Sequence, residues 1–359
     1  MKRAFRLFAV LLLLPLSAFA QSLLVCAADT HIARKGDFLN GTTSVVDQGV
    51  WEWEIDSGNT YSNIQGVSAH GMLYATNSLS DPIYALSVFS TANLLVGRYN
   101  ANPTTRPYAQ DVDFLWDVCL FDPAAYGMTV ELFEGMEGND GYCTMATGYY
   151  ARLIGQFPNP YDNVDRHLTA GRGSLSGWDL SAHIRASWRS GFVSYAQGMV
   201  ERILERRPDW EHVLLGGYDY TESSHGALAR VIGEMHATGD VNEDAYQESL
   251  DLVDLLLAAQ APDGSWGQSD YQSTAYVLLG LRSDEGGYTA SAARRTAIIA
   301  GENFLQDSAT SSPSCGWSHP PEYGEMNSEV IMALSLINSL PFLDGFESED
   351  TSAWTAAAE

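Results

Sequence analysis

Gln260-Ala261-Pro262-Asp263-Gly264-Ser265-Trp266 runs into Ser273-Thr274-Ala275-Tyr276-Val277-Leu278-Leu279-Gly280-Leu281, and this stretch decides the fold. Its first part is turn chemistry, with Asp-Gly following a proline. Its second part is an uncharged run of small and apolar residues with helical spacing. The pairing of glycine and aromatic ahead of a helical stretch recurs at Gly49-Val50-Trp51, Gly141-Tyr142, Gly177-Trp178, Gly217-Tyr218 and Cys315-Gly316-Trp317. Six copies at long, uneven spacing imply a repeat architecture, and a repeat outranks any local signal in assigning a fold.

Helical periodicity dominates after residue 60. It predicts one set of helices over 61–76, 141–155, 177–189, 221–238, 270–282 and 325–339. A second set is predicted over 81–98, 107–120, 191–206, 243–260 and 290–307. The first set is rich in small residues, as in Ser223-Ser224-His225-Gly226-Ala227-Leu228-Ala229, which let helix backbones crowd around a centre. The second is more amphipathic: Phe192, Tyr195, Met199 and Ile203 share a face while Glu201, Arg202 and Glu205 point away. An inner ring and an outer ring follow, one outer helix short of six. The fold class is therefore all-α, with residues 61–341 forming the helical domain. Asp81-Pro82 reads as an N-cap followed by a first-turn proline. Thr238–Glu243 reads as a capped turn, because it lacks the alternating acids of a calcium loop. The longest irregular stretch runs from about Pro158 to Gly177. Residues 21–60 form an N-terminal segment packing on the domain, in which Trp51-Glu52-Trp53-Glu54 alternates like an edge strand.

Over residues 240–340 the chain resembles the squalene cyclase and prenyltransferase superfamily. The resemblance is carried by Gln260, Asp263-Gly264-Ser265-Trp266 and the Thr-Ala-rich helix after them, with a looser copy from Phe304-Leu305 through Gly316-Trp317 to Ile331-Met332-Ala333-Leu334. It implies an alpha/alpha toroid, six helical hairpins around a central funnel. Terpenoid chemistry does not follow from it. Class II cyclases of that superfamily use an Asp-x-Asp-Asp acid, and Asp111-Val112-Asp113-Phe114 lacks the last acid and reads as an exposed start of an outer helix. The Asp/Cys/His zinc site of protein prenyltransferases cannot be assembled either. The terminal Asp344-Gly345-Phe346-Glu347-Ser348-Glu349-Asp350-Thr351-Ser352-Ala353-Trp354 resembles a short tail of exported bacterial proteins, with Glu349 in place of the usual glycine. Residues 342–359 are expected to form a flexible acidic tail.

The first 20 residues read as a secretory signal: Lys2, Arg3 and Arg6, then an apolar run from Phe8 to Leu16, then Ala18-Phe19-Ala20. The apolar run is too short to span a bilayer. An exported protein of about 339 residues starting at Gln21 is expected, periplasmic, on the cell surface or extracellular. Losing the signal's three cations and no anion takes the net charge from −26 to −29. Such a charge argues against nucleic-acid partners and anionic membranes. The local exception is the segment holding Arg166, Arg172, Arg185, Arg189, Arg202, Arg206 and Arg207, read as a solvated outer helix face in preference to an anion site. Cys26, Cys119, Cys143 and Cys315 allow three disulfide pairings, of which Cys119–Cys143 closes the shortest loop. No metal-ligand spacing or cofactor fingerprint is present, so neither metal nor cofactor is expected. Oligomeric state is left open.

In such a fold the N-termini of the inner helices meet at the funnel, where unpaired N–H groups and positive dipole ends lie. Asp179 and His183 stand four apart on one predicted inner helix, and Glu222 and His225 three apart on another. Either spacing brings a carboxylate beside an imidazole, a usable acid/base pair. The later inner helices add Asp270, Gln272, Tyr276, Glu325 and Glu329. Trp178, Tyr218, Tyr220, Trp266 and Trp317 are the aromatic candidates for binding a carbohydrate or small-molecule ligand in the funnel. The competing reading makes the aromatics packing wedges and the histidines satisfied core residues. Two functions compete accordingly: a hydrolase or lyase acting on a carbohydrate polymer, and a non-catalytic binding or scaffold protein. Terpenoid cyclisation ranks third.

Overall fold

A computed structural model describes residues 21–41, 43–79, 81–121, 139–268, 270–283, 291–310, 315–317 and 324–335. The expected signal and the acidic tail lie outside these. In chain order the elements are α1 (21–33), β1 (Gly36–Asn40), β2 (Val46–Val50), β3 (Asn59–Thr60), α2 (Gln65–Leu79), α3 (Pro82–Ala101), α4 (Ala109–Leu120), α5 (Asn139–Ile154), α6 (Pro160–Thr169), α7 (Ser176–Arg189), α8 (Val193–Glu205), α9 (Thr221–Ala237), α10 (Glu243–Ala259), α11 (Tyr271–Leu281), α12 (Ala292–Ser308) and α13 (Gly324–Ser335).

Four tryptophans show what the repeat does. Trp51, Trp210, Trp266 and Trp317 are fully buried. Each indole N–H donates to a carbonyl of the helix before it, those of His31, Ile203, Leu256 and Leu305, at 2.8, 3.1, 2.7 and 2.7 Å. The helices that carry these acceptor carbonyls, α1, α8, α10 and α12, each precede an inner helix. In three copies the next inner helix also takes the tryptophan's backbone N–H, through Gln65, Thr274 or Asn327. A buried ring of this size removes roughly 200 Å² from water, about 5 kcal/mol. The Gly–Trp turn is thus the wedge that joins an outer helix to its inner partner. Gly264 has a φ of +91°, and a Cβ there would lie 2.3 Å from the carbonyl of Ala300. Gln260 secures the same turn, its amide donating to the carbonyls of Gly264 and Ala297.

The inner helices form a closed ring. α2 packs on α4, α4 on α7, α7 on α9, α9 on α11, α11 on α13, and α13 returns to α2. At that last seam Gly71 of α2 lies against Ser328 of α13, its N–H donating to the Ser328 hydroxyl at 2.8 Å. Two predicted helices exchange rings. Residues 107–120, expected outside, form inner helix α4, and 141–155, expected inside, form α5 packed on the outside of α4. The acids of α4 do not mark an exposed helix start, because they are buried against partners remote in sequence. Asp111 accepts from the Gly66 N–H at 3.0 Å, and Asp113 accepts from Arg185 at 2.7 Å. The tyrosines of α5 reach outward-ring neighbours instead, Tyr142 to Asn93 and Tyr149 to Asn100 on α3.

Helix α1 supplies the missing sixth outer helix. The stretch read as irregular contains α6, started by the Asn159 cap and Pro160 and packed on α8. The strand expected at 51–54 lies earlier, at β2. The order β2-β1-β3 makes a small sheet, antiparallel between β1 and β2 and parallel between β1 and β3. Cys119 and Cys143 are disulfide-bonded, tying α4 to α5. Cys26 and Cys315, 289 residues apart with Cα atoms 5.5 Å apart, tie α1 to the chain ahead of α13. Among the described residues no helix is long and apolar enough to cross a membrane.

Candidate functional site

First-turn residues of the six inner helices, or residues just ahead of them, converge at one mouth of the ring. Asn63, Gln110, Trp178, Asp179, Ser223, Gln272 and Glu325 line two adjoining cavities there, of about 210 and 440 Å³, which share Asn63, Arg172 and Asp179 as a common wall. Trp53, Leu175, Leu215 and Tyr220 complete the first cavity. Below it, Trp178 meets Tyr276 edge-on with centroids 5.7 Å apart. Deeper still, side chains from α2, α4, α7 and α9 fill the axis with an ion cluster. Arg185 bonds Asp113, Asp117 and Glu234 at 2.7, 3.1 and 2.7 Å. Arg189 and His70 also reach Asp117, and Arg230 pairs with Glu234 at 3.0 Å. The funnel is therefore a cup open at the N-terminal end of the inner ring.

Two carboxyl groups line the cup and a third lies buried behind them, each in a different state. Asp179, on the first turn of α7, accepts from Arg172 Nε at 2.8 Å and from Gln110 at 3.4 Å, with His167 Nε2 3.3 Å away. Burial alone would raise its pKa, but His167 and Arg172 outweigh burial and hold the carboxyl below the usual aspartate range. Glu325, on the first turn of α13, goes the other way. Burial, and then the Asp179 charge, push it up to about 7 against the opposing pull of Arg172. Glu329 lies one turn further along α13. Its oxygens accept from Tyr276 OH at 2.6 Å and Gln272 Nε2 at 2.7 Å. Burial and the charge of Glu325 raise it well above the ordinary glutamate value. An ionised carboxylate thus faces a cavity that also holds an acid able to keep its proton near neutrality. Acid and base roles divide between two carboxyls by this kind of separation.

The other sequence candidates fall in different places. Trp178, Tyr220 and Gln272 line the first cavity. His183 lines the second, but the hydrogen bond to Asp179 suggested by their spacing is not formed. Asp179 is engaged by Arg172 and Gln110, His183 Nδ1 has no partner, and burial lowers the His183 pKa to about 3. His225 bonds Glu211 at 2.6 Å rather than Glu222, and Trp210 packs edge-on against it. Glu211 arrives from the turn after α8, already held by Arg207 at 2.8 Å, so Glu222 is left half-exposed away from both cavities. Asp270 caps α11 through the Ser273 N–H at 2.6 Å. Trp266 and Trp317 are wedges with no face on the cup, and Tyr218 stands exposed on the Leu215–Tyr218 turn.

The arginine-rich segment splits. Arg172, Arg185 and Arg189 point inward to carboxylates. Arg202 and Arg206 bind Asp165 nearer the surface. Trp53, Asn63, Arg106, Tyr108 and His167 join the cup without any local sequence signal, because only ring closure brings these loops together. Among the described residues no cluster of three or more His, Cys, Asp or Glu could hold a metal ion.

No family model matches the chain, and no curated protein matches it in sequence. Solved structures do match. An unsaturated glucuronyl hydrolase from Bacillus sp. GL1, described as responsible for the degradation of glycosaminoglycan, superposes with a TM-score of 0.52 at 13% identity, covering 88% of this chain and 95% of its own. The fold is an alpha/alpha toroid. An unsaturated glucuronyl hydrolase from Streptococcus agalactiae gives 0.51 at 11% identity over 89% and 90% of the two chains. A UGL variant described with dGlcA-Glc-Rha-Glc gives 0.52 at 12% identity over 89% and 95%. At these identities the likeness is one of fold. None of the three is described as a terpenoid cyclase or prenyltransferase.

Proposed function

We propose that this chain is an exported saccharide-cleaving enzyme, a hydrolase or lyase, with Asp179 and Glu325 as its base and acid. The observation that carries the reading is the pair itself: an ionised Asp179 and a protonatable Glu325 on the wall of one water-accessible cavity. Asp179 takes a proton from water or from a substrate carbon, and Glu325 gives one to the departing sugar oxygen. Arg172 and Gln110 fix the Asp179 carboxylate, while Glu329, Tyr276 and Gln272 form a polar backing behind Glu325. Trp178 and Tyr220 offer aromatic faces to a sugar ring. The descriptions of the fold neighbours support a saccharide substrate. Carboxyls of opposed protonation in an open cup weigh against a pure scaffold. The signal-like N-terminus and two disulfides support export.

The test is turnover of oligosaccharides by the purified protein. Asp179→Asn and Glu325→Gln should each lower kcat by about 10²- to 10⁴-fold, the usual scale of a lost acid or base. Full turnover in both variants would remove the assignment.

A further inference from the structure

The mouth of the cup carries two aromatic pairs of the same build. In each, one ring lines the first cavity and the other stands outside it. Trp53 lines the cavity, and Tyr61, 39% exposed, meets it edge-on with centroids 5.7 Å apart. Tyr220 lines the cavity, and Tyr218, 59% exposed, lies 6.3 Å from it. Ring order places the two pairs on opposite sides. The Trp53 carbonyl accepts from the Gly324 N–H at 2.9 Å, at the seam between α13 and α2. The Tyr220 N–H donates to Ser174 Oγ at 2.7 Å, at the seam between α7 and α9. These seams lie half-way round from one another in the closed order α2, α4, α7, α9, α11, α13. The turn that presents Tyr218 closes on itself, Leu215 and Tyr218 exchanging N–H to carbonyl bonds at 2.9 and 3.0 Å. Val213 and Leu214 beside it are 43% and 59% exposed. Apolar side chains grouped in the open at the lip of a cavity mark a ligand-binding groove.

We propose that the cup is the middle of an open cleft, in which a saccharide chain lies across the mouth from Tyr61 to Tyr218 and is cut at an internal linkage. The proposal rests on the saccharide reading of the cup. It adds which part of the substrate is recognised: chain on both sides of the cut, with no need of a chain end. A pyranose ring presents apolar C–H groups on its faces, and an aromatic ring covers them at little cost in side-chain freedom. Trp53 and Tyr220 take the sugars that flank the reacting bond, and Tyr61 and Tyr218 take the next ones out. Asp179 and Glu325 line the cavity between the two pairs. Glu325 protonates the departing oxygen. Asp179 takes a proton either from the water whose hydroxyl joins the other fragment, or from a carbon of that fragment as a double bond forms.

The experiment is digestion by the full-length protein of hyaluronan, polygalacturonate, xylan and mixed-linkage β-glucan, and of oligosaccharides prepared from each. On a polymer that is cleaved, viscosity should fall well ahead of the release of new chain ends, and the first products should be oligosaccharides of mixed length. kcat/KM for the hexasaccharide should exceed that for the disaccharide by about tenfold or more, from two outer ring contacts of about threefold to tenfold each. Tyr61→Ala and Tyr218→Ala should each lower that ratio by about threefold to tenfold. Tyr161→Ala, at an exposed tyrosine of α6 that lines neither cavity, should leave it unaltered. Release of mono- or disaccharides from the outset, cleavage of oligosaccharides with every polymer intact, or a ratio moved by only one of Tyr61→Ala and Tyr218→Ala would refute the two-sided cleft while the saccharide reading stands. No cleavage of any polymer or oligosaccharide would remove the saccharide reading, and the cleft with it.

Discussion

Ring closure can be broken at one atom. Gly71 of α2 faces α13 so closely that a Cβ would lie 2.1 Å from the Ser328 carbonyl and 2.7 Å from its hydroxyl. Gly71→Ala must therefore push the first and last inner helices apart by about an ångström to reach ordinary contact. Overpacking of this kind costs about 1–3 kcal/mol. The lost hydrogen bond from the Gly71 N–H to Ser328 costs about 1 kcal/mol more. The higher helix propensity of alanine returns about 1 kcal/mol. The net expectation is a destabilisation of about 1–3 kcal/mol. Gly97, on the outer face of α3, is the control: a Cβ there meets nothing within 4 Å. Gly97→Ala should stabilise by about 0.5–1 kcal/mol. Urea unfolding followed by circular dichroism measures both, and the two midpoints should move in opposite directions. A Gly71→Ala protein as stable as Gly97→Ala would mean that α2 and α13 do not meet and the ring is open.

Two further outcomes follow from the wedges and the cross-links. Trp266→Ala should cost about 3–5 kcal/mol in urea unfolding yet leave saccharide affinity unaltered, because its ring has no face on the cup. Trp178→Ala should cost less stability and weaken binding; a reversal of this pattern would mean the wedge and the lining are misassigned. Replacing Cys26 and Cys315 by serine opens a 289-residue loop, and replacing Cys119 and Cys143 a 24-residue loop. Chain entropy predicts losses of about 5.5 and about 3.5 kcal/mol. A larger loss for the short loop would show that the long disulfide does not act as the ring's latch.

The toroid was legible because its wedge is a local motif. Asp263-Gly264-Ser265-Trp266 carries its turn, its ring and its hydrogen-bond partners within a few residues. Trp210 carries no such signal, because no glycine precedes it, although its indole makes the same bond as the others. Gly217-Tyr218 looked like a copy and is a surface turn. Asp111 and Asp113 read as an exposed helix start because their partners, Gly66 and Arg185, lie 45 and 72 residues away in sequence. The cup was legible in part. Asp179, Trp178, Tyr220, Gln272 and Glu325 stood where a helix start at the funnel would put them. Pairing by helical spacing fails at His183 and His225, because the loops leading into α7 and α9 bring Arg172 to the carboxylate and Glu211 to the imidazole instead. Arg106 and His167 carried no signal, being brought in by tertiary closure alone.

The central claim is that Asp179 is ionised while Glu325 keeps its proton up to about neutrality, and carboxyl-carbon NMR titration of Glu325 tests it without a substrate. In the native protein Glu325 should titrate at about 7, against an ordinary value of 4.5. An acid must keep its proton to act, so turnover should fall as pH rises through that midpoint. In Asp179→Asn the midpoint should move down, since the Asp179 charge is one of the two causes that raise it, and stay above 4.5 because burial remains. A Glu325 that titrates near 4.5 in the native protein, or one unmoved by Asp179→Asn, would contradict the pairing on which the enzymatic reading stands.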